Sequence, residues 1–356
     1  MAQREGARAR GGGAGGGRTA ALSEPRVDIL LPARNAEATL GAALRSVARQ
    51  SEPRFRCIVV DDGSSDGTAE IARGMAARDR RFELLGLAHG GLVCALRAGL
   101  ARARAPFVAR MDADDVMRRE RMALQLRALE ADPGLAGVGC HVRLFPRRAS
   151  GEGMQRYERW LNAIESSSDV ARERFIECPI AHPTLLIRRE VLQTFGYRDV
   201  GWAEDYDLVL RLLESGQRLS VVPRRLLAWR DGPGRTSRTA PAYGLEAMTR
   251  CKAWFLAHGF LAEVERYVLW GYGGTGKALA RALAACGKRP SHIVELHPGR
   301  LGQRIAGAEV VPPAALERLR PPRMVVSVAG PEARGQIRAA LRSMGFLEGG
   351  AFVCAA

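Results

Sequence analysis

Short apolar runs alternate with helical stripes along the first third of the chain. Val27 to Leu31 is an apolar run ending at Pro32, the pattern of a buried strand. After Asn35, Leu40, Ala43, Leu44 and Val47 recur on one helical face. Cys57 to Val60 predicts a second buried strand. The turn Asp61-Asp62-Gly63-Ser64-Ser65-Asp66-Gly67-Thr68 and a helix from Ala69 to Ala77 follow it, with Ser65 or Asp66 as N-cap. Phe82 to Leu87 gives a third strand, and His89-Gly90-Gly91 leads into another helix. Phe107 to Met111 gives a fourth strand, ending in Asp112-Ala113-Asp114-Asp115. This βα alternation predicts an α/β fold with a largely parallel sheet. Ligands in such sheets bind beyond the carboxyl ends of the strands, where both acidic clusters fall.

The middle of the chain is less regular. Met122 to Leu129 and Tyr157 to Ile164 read as helices, and Ala136 to Leu144 as a strand. Ala181-His182-Pro183-Thr184 opens an apolar stretch to Ile187, with His182 beginning a strand. Glu204-Asp205 starts a well-patterned helix over Tyr206 to Glu214, stopped by Gly216. A strand-like segment, Leu219 to Trp229, and a basic loop, Arg230 to Thr239, come next. After a break near 261–266 the βα rhythm restarts: a strand at Tyr267 to Trp270, a glycine loop from Gly271 to Gly276 and a helix over Lys277 to Cys286. Strands at Ile293 to Leu296, Glu309 to Val311 and Met324 to Val328, and a helix over Glu332 to Met344, complete it. The expected organisation is a disordered basic, glycine-rich tail (1–24), a large α/β domain (25–263) and a smaller one (264–356).

Charge complicates this picture only briefly. The 54 Lys+Arg exceed the 38 Asp+Glu, a formal net charge of +16, which raises the question of a nucleic-acid or membrane partner. Only Lys252, Lys277 and Lys288 are lysines; the arginines are spread along the chain beside abundant Ala and Gly, a bias that GC-rich codons explain. No aromatic-interleaved basic stripe suited to stacking bases is present, so a nucleic-acid partner is set aside. Peripheral attachment to the inner face of a membrane stays open, while no apolar run reaches the length of a span. Seven cysteines stand singly with no C-x-x-C pair, as expected of free thiols in a reducing compartment. The first two dozen residues lack a hydrophobic leader, and a cytoplasmic location is expected.

Candidate chemistry begins at the acidic clusters. Asp112 and Asp114 are alternate residues at a strand end, so an extended backbone points both at one site. Mg²⁺ or Mn²⁺ takes one or two carboxylates plus substrate phosphates, which suits a nucleotide diphosphate. The plain alternative is an acidic turn in which Asp115 caps the next helix. Asp61 and Asp62 likewise suit a base N–H or ribose hydroxyl, or a helix cap.

Five segments carry a family resemblance. Val27-Asp28-Ile29-Leu30-Leu31-Pro32-Ala33-Arg34-Asn35, the Asp61-to-Thr68 turn, Ala109-Arg110-Met111-Asp112-Ala113-Asp114-Asp115, His182-Pro183-Thr184 and Glu204-Asp205-Tyr206-Asp207-Leu208 resemble, in order and spacing, successive motifs of family 2 glycosyltransferases over residues 25–240. The resemblance implies a GT-A fold with a mostly parallel mixed sheet, a nucleotide-sugar donor, and inversion of the anomeric centre by single displacement. It implies that Pro32, Ala33 and Asn35 lie along the nucleotide and that Asp62, beside Asp61, meets the base, uracil first. It places Asp112 at the ribose or metal and Asp114 on Mn²⁺ or Mg²⁺, and it makes Asp205 the catalytic base with Glu204 its neighbour. The base must lie within hydrogen-bond reach of the acceptor hydroxyl, and a helix N-terminus favours the ionised carboxylate; simple capping is the alternative for Asp205. Arg110 is a phosphate candidate. His182 is a candidate for diphosphate or acceptor, or a structural histidine. Arg230 and Arg235, with Arg238, form a loop suited to close over the diphosphate. The implied donor is a UDP-hexose or UDP-N-acetylhexosamine. The implied acceptor is a glycan or lipid-linked acceptor in cell-surface glycan or polysaccharide synthesis, read by residues 145–180. Processive members carry a Q-x-x-R-W motif and transmembrane helices; neither is present, which argues against a polymerising synthase.

Near the C-terminus, Gly271-x-Gly273-x-x-Gly276 follows a strand and opens a helix, and Glu295 ends the next strand, matching the dinucleotide-binding fingerprint. The segment resembles small Rossmann-like domains attached to sugar-modifying enzymes. NAD or another nucleotide is one expectation here; a structural, regulatory or oligomerising role is the other, and the oligomeric state is open. Two rival readings of the whole chain are weighed. An NAD(P)-dependent sugar-modifying oxidoreductase needs a Tyr/Lys or His constellation beside the loop, which the sequence lacks. A non-catalytic nucleotide-sugar-binding protein has no need of both Asp114 and Asp205.

Overall fold

The computed structural model describes residues 24–356 except 148, 149 and 233. The expected tail up to residue 23 lies outside the described residues. The chain begins β1 (Val27–Ala33), α1 (Glu37–Ala48), β2 (Phe55–Asp62), α2 (Thr68–Arg78), β3 (Phe82–Leu87), α3 (Leu92–Arg102), β4 (Phe107–Arg110). It continues with β5 (Val116–Met117), α4 (Arg121–Ala131), β6 (Leu135–Phe145), α5 (Glu152–Leu161), α6 (Ser167–Glu173), β7 (Leu186–Arg188), α7 (Arg189–Phe195), α8 (Glu204–Glu214) and β8 (Arg218–Arg230). These strands form one eight-stranded sheet in the order β3-β2-β1-β4-β7-β6-β8-β5. β1 pairs in parallel with β2 and β4, and β8 with β6; β7 and the short edge strand β5 run antiparallel to their neighbours. The carboxyl ends of β1, β2, β4, β6 and β8 therefore open on the same edge, and the acidic clusters lie there.

All seven residues of β1 are buried, as a parallel strand covered on both faces requires. Alternate residues go to opposite faces. Val27, Ile29 and Leu31 pack with Leu40, Leu44 and Val47 of α1 and Met122 of α4, whereas Leu30, Ile58 and Val60 pack with Leu96 and Leu100 of α3.

After β8 come α9 (Thr236–Thr239) and α10 (Leu245–His258), then β9 (Arg266–Trp270), α11 (Gly274–Ala285), β10 (Arg289–Val294), β11 (Arg304–Ile305), β12 (Ala308–Val311), α12 (Ala315–Leu319), β13 (Met324–Val326), α13 (Pro331–Ser343) and β14 (Phe352–Cys354). The second sheet has the order β11-β12-β10-β9-β13-β14, parallel except for β11. Cys251, Phe255 and Leu256 of α10 share one continuous core with Leu208 and Leu212 of α8 and with Leu269, Leu279 and Ile293 of the second sheet and its helix. Trp270, Leu316 and Leu341 fill the opposite face under α12 and α13.

Several expected details shift. α5 starts and ends earlier than the Tyr157-to-Ile164 pattern suggests, because the Asn162 side chain bonds both the N–H and the C=O of Val142, 2.9 Å each, and turns the chain off the helix. The N-cap of α2 is Gly67, not Ser65 or Asp66; the Asp66 carboxylate instead accepts the N–H groups of Thr68 and Glu37, each at 3.1 Å. His182 does not begin a strand: His182–Thr184 is a 3₁₀ turn held by Thr184 Oγ1 donating to Ala181 O at 2.6 Å. Among the described residues no helix is long and apolar enough to cross a membrane.

Candidate active site

The turn after β4 is built from below. Arg121, in the first turn of α4 and fully buried, donates Nη2 to the Arg110 carbonyl at 2.9 Å and Nε to Gln125 at 3.0 Å. Gln125 donates in turn to Val138 O and Thr184 O, at 3.0 and 2.7 Å. This brace ties the end of β4 to β6 and to the His182 turn. Above it, the carboxylates of Asp112, Asp114 and Asp115 have oxygens within 4.8 Å of one another.

β8 closes the turn from the other side. The Arg230 N–H donates to Asp115 Oδ1 at 2.7 Å, and Arg230 Nε to the Asp114 carbonyl at 2.8 Å. The Arg230 guanidinium also lies over the Phe145 ring, and that of Arg235 over Trp229. Asp115 therefore does not cap α4, whose N-cap is Glu120. It is 1% exposed, and its Oδ2 has no partner among the described residues. Burial first, then the charge of Asp112, holds the Asp114 carboxyl above its ordinary range; burial with Asp112 and Asp114 pushes Asp115 well up. A cluster of hard oxygen donors, with one buried Asp115 oxygen left without a partner among the described residues, fits Mg²⁺ or Mn²⁺.

The nucleotide-side candidates are stitched into the two neighbouring strand ends. Pro32 and Ala33 sit opposite Val60 and Asp61 in register. Asn35, at φ +48°, accepts the Ser65 N–H at 2.9 Å and donates its own N–H to Ser64 Oγ at 3.0 Å; Ser64 in turn bonds Asp61. Asp62 does not stand free: it accepts Gly90 N at 2.8 Å, Gly91 N at 3.0 Å and His89 Nδ1 at 2.8 Å. Burial raises its carboxyl, but these donors outweigh it and leave the net shift downward.

On the acceptor side, Glu204 and Asp205 open α8 behind Ala203, which is the N-cap. Glu204 is 5% exposed; it accepts Tyr243 Oη at 2.5 Å, and its other oxygen lies 3.4 Å from His182 Nδ1. His182 Nε2 reaches Tyr197 Oη at 3.0 Å. Burial raises Glu204, but His182 and Tyr243 more than compensate and keep it low. Asp205 is treated in the opposite way. Burial and the negative Glu204 push it up to about 6; among the described residues only the Tyr206 N–H, at 2.7 Å, bonds its carboxylate. Arg110 is buried under both halves. It bonds Asp112 at 2.5 Å, and burial, which lowers its pKa, is overcome by the charges of Asp112, Tyr197 and Glu204. Tyr243 likewise feels Glu204, Asp205 and Asp112.

Residues 28–196 match the family model described as Glycosyl transferase family 2. These residues belong to glycosyltransferase family 2. EpsE of Bacillus subtilis (strain 168), described as a glycosyltransferase, is 29% identical over 230 residues, 63% of this chain and 80% of EpsE. An uncharacterized glycosyltransferase of Haemophilus influenzae is 24% identical over 220 residues, 60% of this chain and 68% of that protein. The 1–349 portion of S. aureus TarS in complex with UDP-GlcNAc shares the fold at a TM-score of 0.51 and 18% identity, over 72% of this chain and 71% of that one. The chain thus carries the domain of an enzyme that takes a sugar from a nucleotide-sugar donor.

The structure brings the candidate residues Asp112, Asp114, Arg110, Arg230, His182, Glu204 and Asp205 to one strand-end edge. Arg110 serves Asp112 from beneath rather than reaching outward, being 4% exposed. Sequence reasoning missed Asp115 as a member of the cluster, Arg121 as its buried support, and Tyr243 and Tyr197 as partners of the Glu204–His182 pair. The Asp-Asp doublet at 114–115 was the only visible signal for the first; nothing local marked the others.

Proposed function

We propose that the chain is an inverting, metal-dependent glycosyltransferase, with a catalytic unit over 25–263 and an appended Rossmann-like unit over 264–356. One observation carries this reading: an acidic turn with Arg110 bonded to Asp112 lies near a base candidate, Asp205, whose carboxyl is raised to about 6 and whose neighbour Glu204 is bonded by Tyr243. Asp112, Asp114 and Asp115 would hold the divalent cation, which when bound neutralises charge growing on the leaving diphosphate. Arg230 and Arg235 add cations on the same side. Asp205 takes the proton of the acceptor hydroxyl as its oxygen attacks the anomeric carbon, and the bond to the diphosphate breaks on the opposite face of the sugar. Glu204, kept ionised by His182 and Tyr243, holds Asp205 at a basicity suited to neutral pH. Asn35, Ala33 and Pro32 line the nucleotide, and Asp62 shapes that wall by fixing the loop after β3.

A UDP-hexose or UDP-N-acetylhexosamine is the proposed donor and a cell-surface glycan or lipid-linked glycan the proposed acceptor, in a reducing cytoplasm. All seven cysteines are free, five of them buried, which agrees with that compartment. Purified protein with UDP-sugars and Mn²⁺ should release UDP, and chelation should stop it. Full activity in both Asp114→Ala and Asp205→Ala would overturn the assignment.

A further inference from the structure

The loop Gly271-Tyr272-Gly273-Gly274-Thr275-Gly276 leaves the end of β9, which lies between β10 on one side and β13 on the other. Strand order reverses there, and a crevice opens at such a point. The four glycines divide by what a side chain would meet. Gly271 has φ +95°, and its Cβ would stand 2.5 Å from Val328; a Cβ on Gly276 would stand 2.2 Å from the Gly271 carbonyl oxygen. The fold itself demands those two. Gly273 and Gly274 are not left-handed, and a Cβ on either would meet nothing within 4 Å. With no Cβ at either position, a group can lie directly against the loop backbone there.

Two side chains mark what that group is. Ser327, just beyond β13, is 4% exposed; its Oγ has no partner among the described residues and lies 3.6 Å from the Cβ position of Gly276. A buried hydroxyl is normally paired, so this one is poised for a ligand acceptor. Glu295, just beyond β10, accepts Tyr272 N at 2.9 Å and Arg300 Nη1 at 3.2 Å, both on Oε1; none of the described residues hydrogen-bonds Oε2. α11 has twelve residues, no acid in its first turn, and Lys277 close behind the third glycine. Its free N–H groups and dipole favour an anion.

The geometry points to a second nucleotide site on this chain, separate from the carboxylate turn. The diphosphate of a ribonucleotide lies over Gly273 and Gly274 against the start of α11, the Ser327 hydroxyl turns to it, and a ribose hydroxyl donates to Glu295 Oε2. NAD and nucleotide-sugars share this chemistry. The site stands whether or not the transferase reading holds, because it rests on the other sheet.

Calorimetric titration of the full chain with NADH, ADP and UDP tests it, alongside Gly273→Val and Ser327→Ala. Saturation by NADH or ADP indicates the dinucleotide class; a second UDP per chain indicates the nucleotide-sugar class. In either case Gly273→Val should weaken that binding about tenfold or more, and Ser327→Ala should weaken it less, with the melting temperature of each variant kept. No saturation beyond a single UDP, or affinities that both variants leave unchanged, overturns the proposal.

Discussion

Asp207 and Asp115 are both buried carboxylates of the first sheet's unit, and the fold treats them oppositely. Asp207 receives Arg198 at 3.0 and 2.6 Å, Arg211 at 2.7 Å and the Trp202 indole at 3.2 Å. Burial raises its carboxyl, yet those donors hold the net shift below the usual range. Asp115 receives one backbone N–H, keeps one oxygen unpaired and stands beside two more acids. Arg110, Arg230 and Arg235 approach that turn, yet among the described residues no guanidinium bonds Asp115, whereas two bond Asp207. The shortfall at Asp115, like the isolation of Asp205 two residues before Asp207, therefore marks places where something other than protein arrives.

The contrast breaks most sharply at Asp205. Asp205→Asn should lower kcat for sugar transfer about 10²–10⁴-fold, the usual reach of a general base, read as UDP release at saturating donor. Asp207→Ala should instead show its loss in stability: removing the buried partner of Arg211 costs about 3 kcal/mol, measurable by urea unfolding. A loss under about 1 kcal/mol, the range of an exposed pair, would remove the distinction.

Acidity gives the next test. A base held at about 6 must be deprotonated to act, so log kcat should fall with unit slope as pH drops below about 6. The sign for stability is reversed. A carboxyl raised in the folded state binds its proton more tightly there than in the unfolded chain, so stability is lost as pH rises from the ordinary carboxylate range through about 6. Asp205→Asn should consequently stabilise the protein at pH 8 by about 1–2 kcal/mol, a partial realisation of the shift because the group is not fully sheltered.

Smaller effects sharpen the picture. Mn²⁺ should raise the melting temperature of the wild-type chain by binding only the folded state, and should not do so for Asp115→Asn. Asp115→Asn, measured without metal, should melt at or above the wild-type temperature, since it removes a buried carboxyl that is costly to ionise beside Asp112 and Asp114. Tyr243→Phe should cost about 1.5–3 kcal/mol, one hydrogen bond to an ionised acceptor, and should shift the acid limb set by Asp205.

The parallel part of both sheets was legible because its signal is local: an apolar strand, a turn, a helix with one apolar face. α10 escaped notice for the converse reason. Cys251, Ala253, Phe255, Leu256 and Ala257 are all buried, so the helix shows no single stripe above its background. α6 and α7 have seven residues each, too few for a period to declare itself. In the site, the strand-end aspartates were visible by position. The fate of Asp115 was not, because its one donor is 115 residues away on β8. Tyr243 lay beyond the basic loop in a stretch the pattern did not assign, and the fold brings it to Glu204, 39 residues back.

The helix between the sheets has a further consequence, one that bears on how such enzymes are assembled and recombined. Lys252 on α10 donates to the Ile176 and Ala355 carbonyls, and Arg338 on α13 pairs with Glu173 of α6 at 2.9 Å. Apolar side chains on α10 belong to the same core as both sheets. The two sheets are thus not beads on a string. A chimera that exchanged the second sheet alone would leave Phe255 and Leu256 facing water and Glu173 without its Arg338 partner. A workable graft boundary lies before α10 and carries a matched α6 with it, and heat should melt the native chain in one transition rather than two.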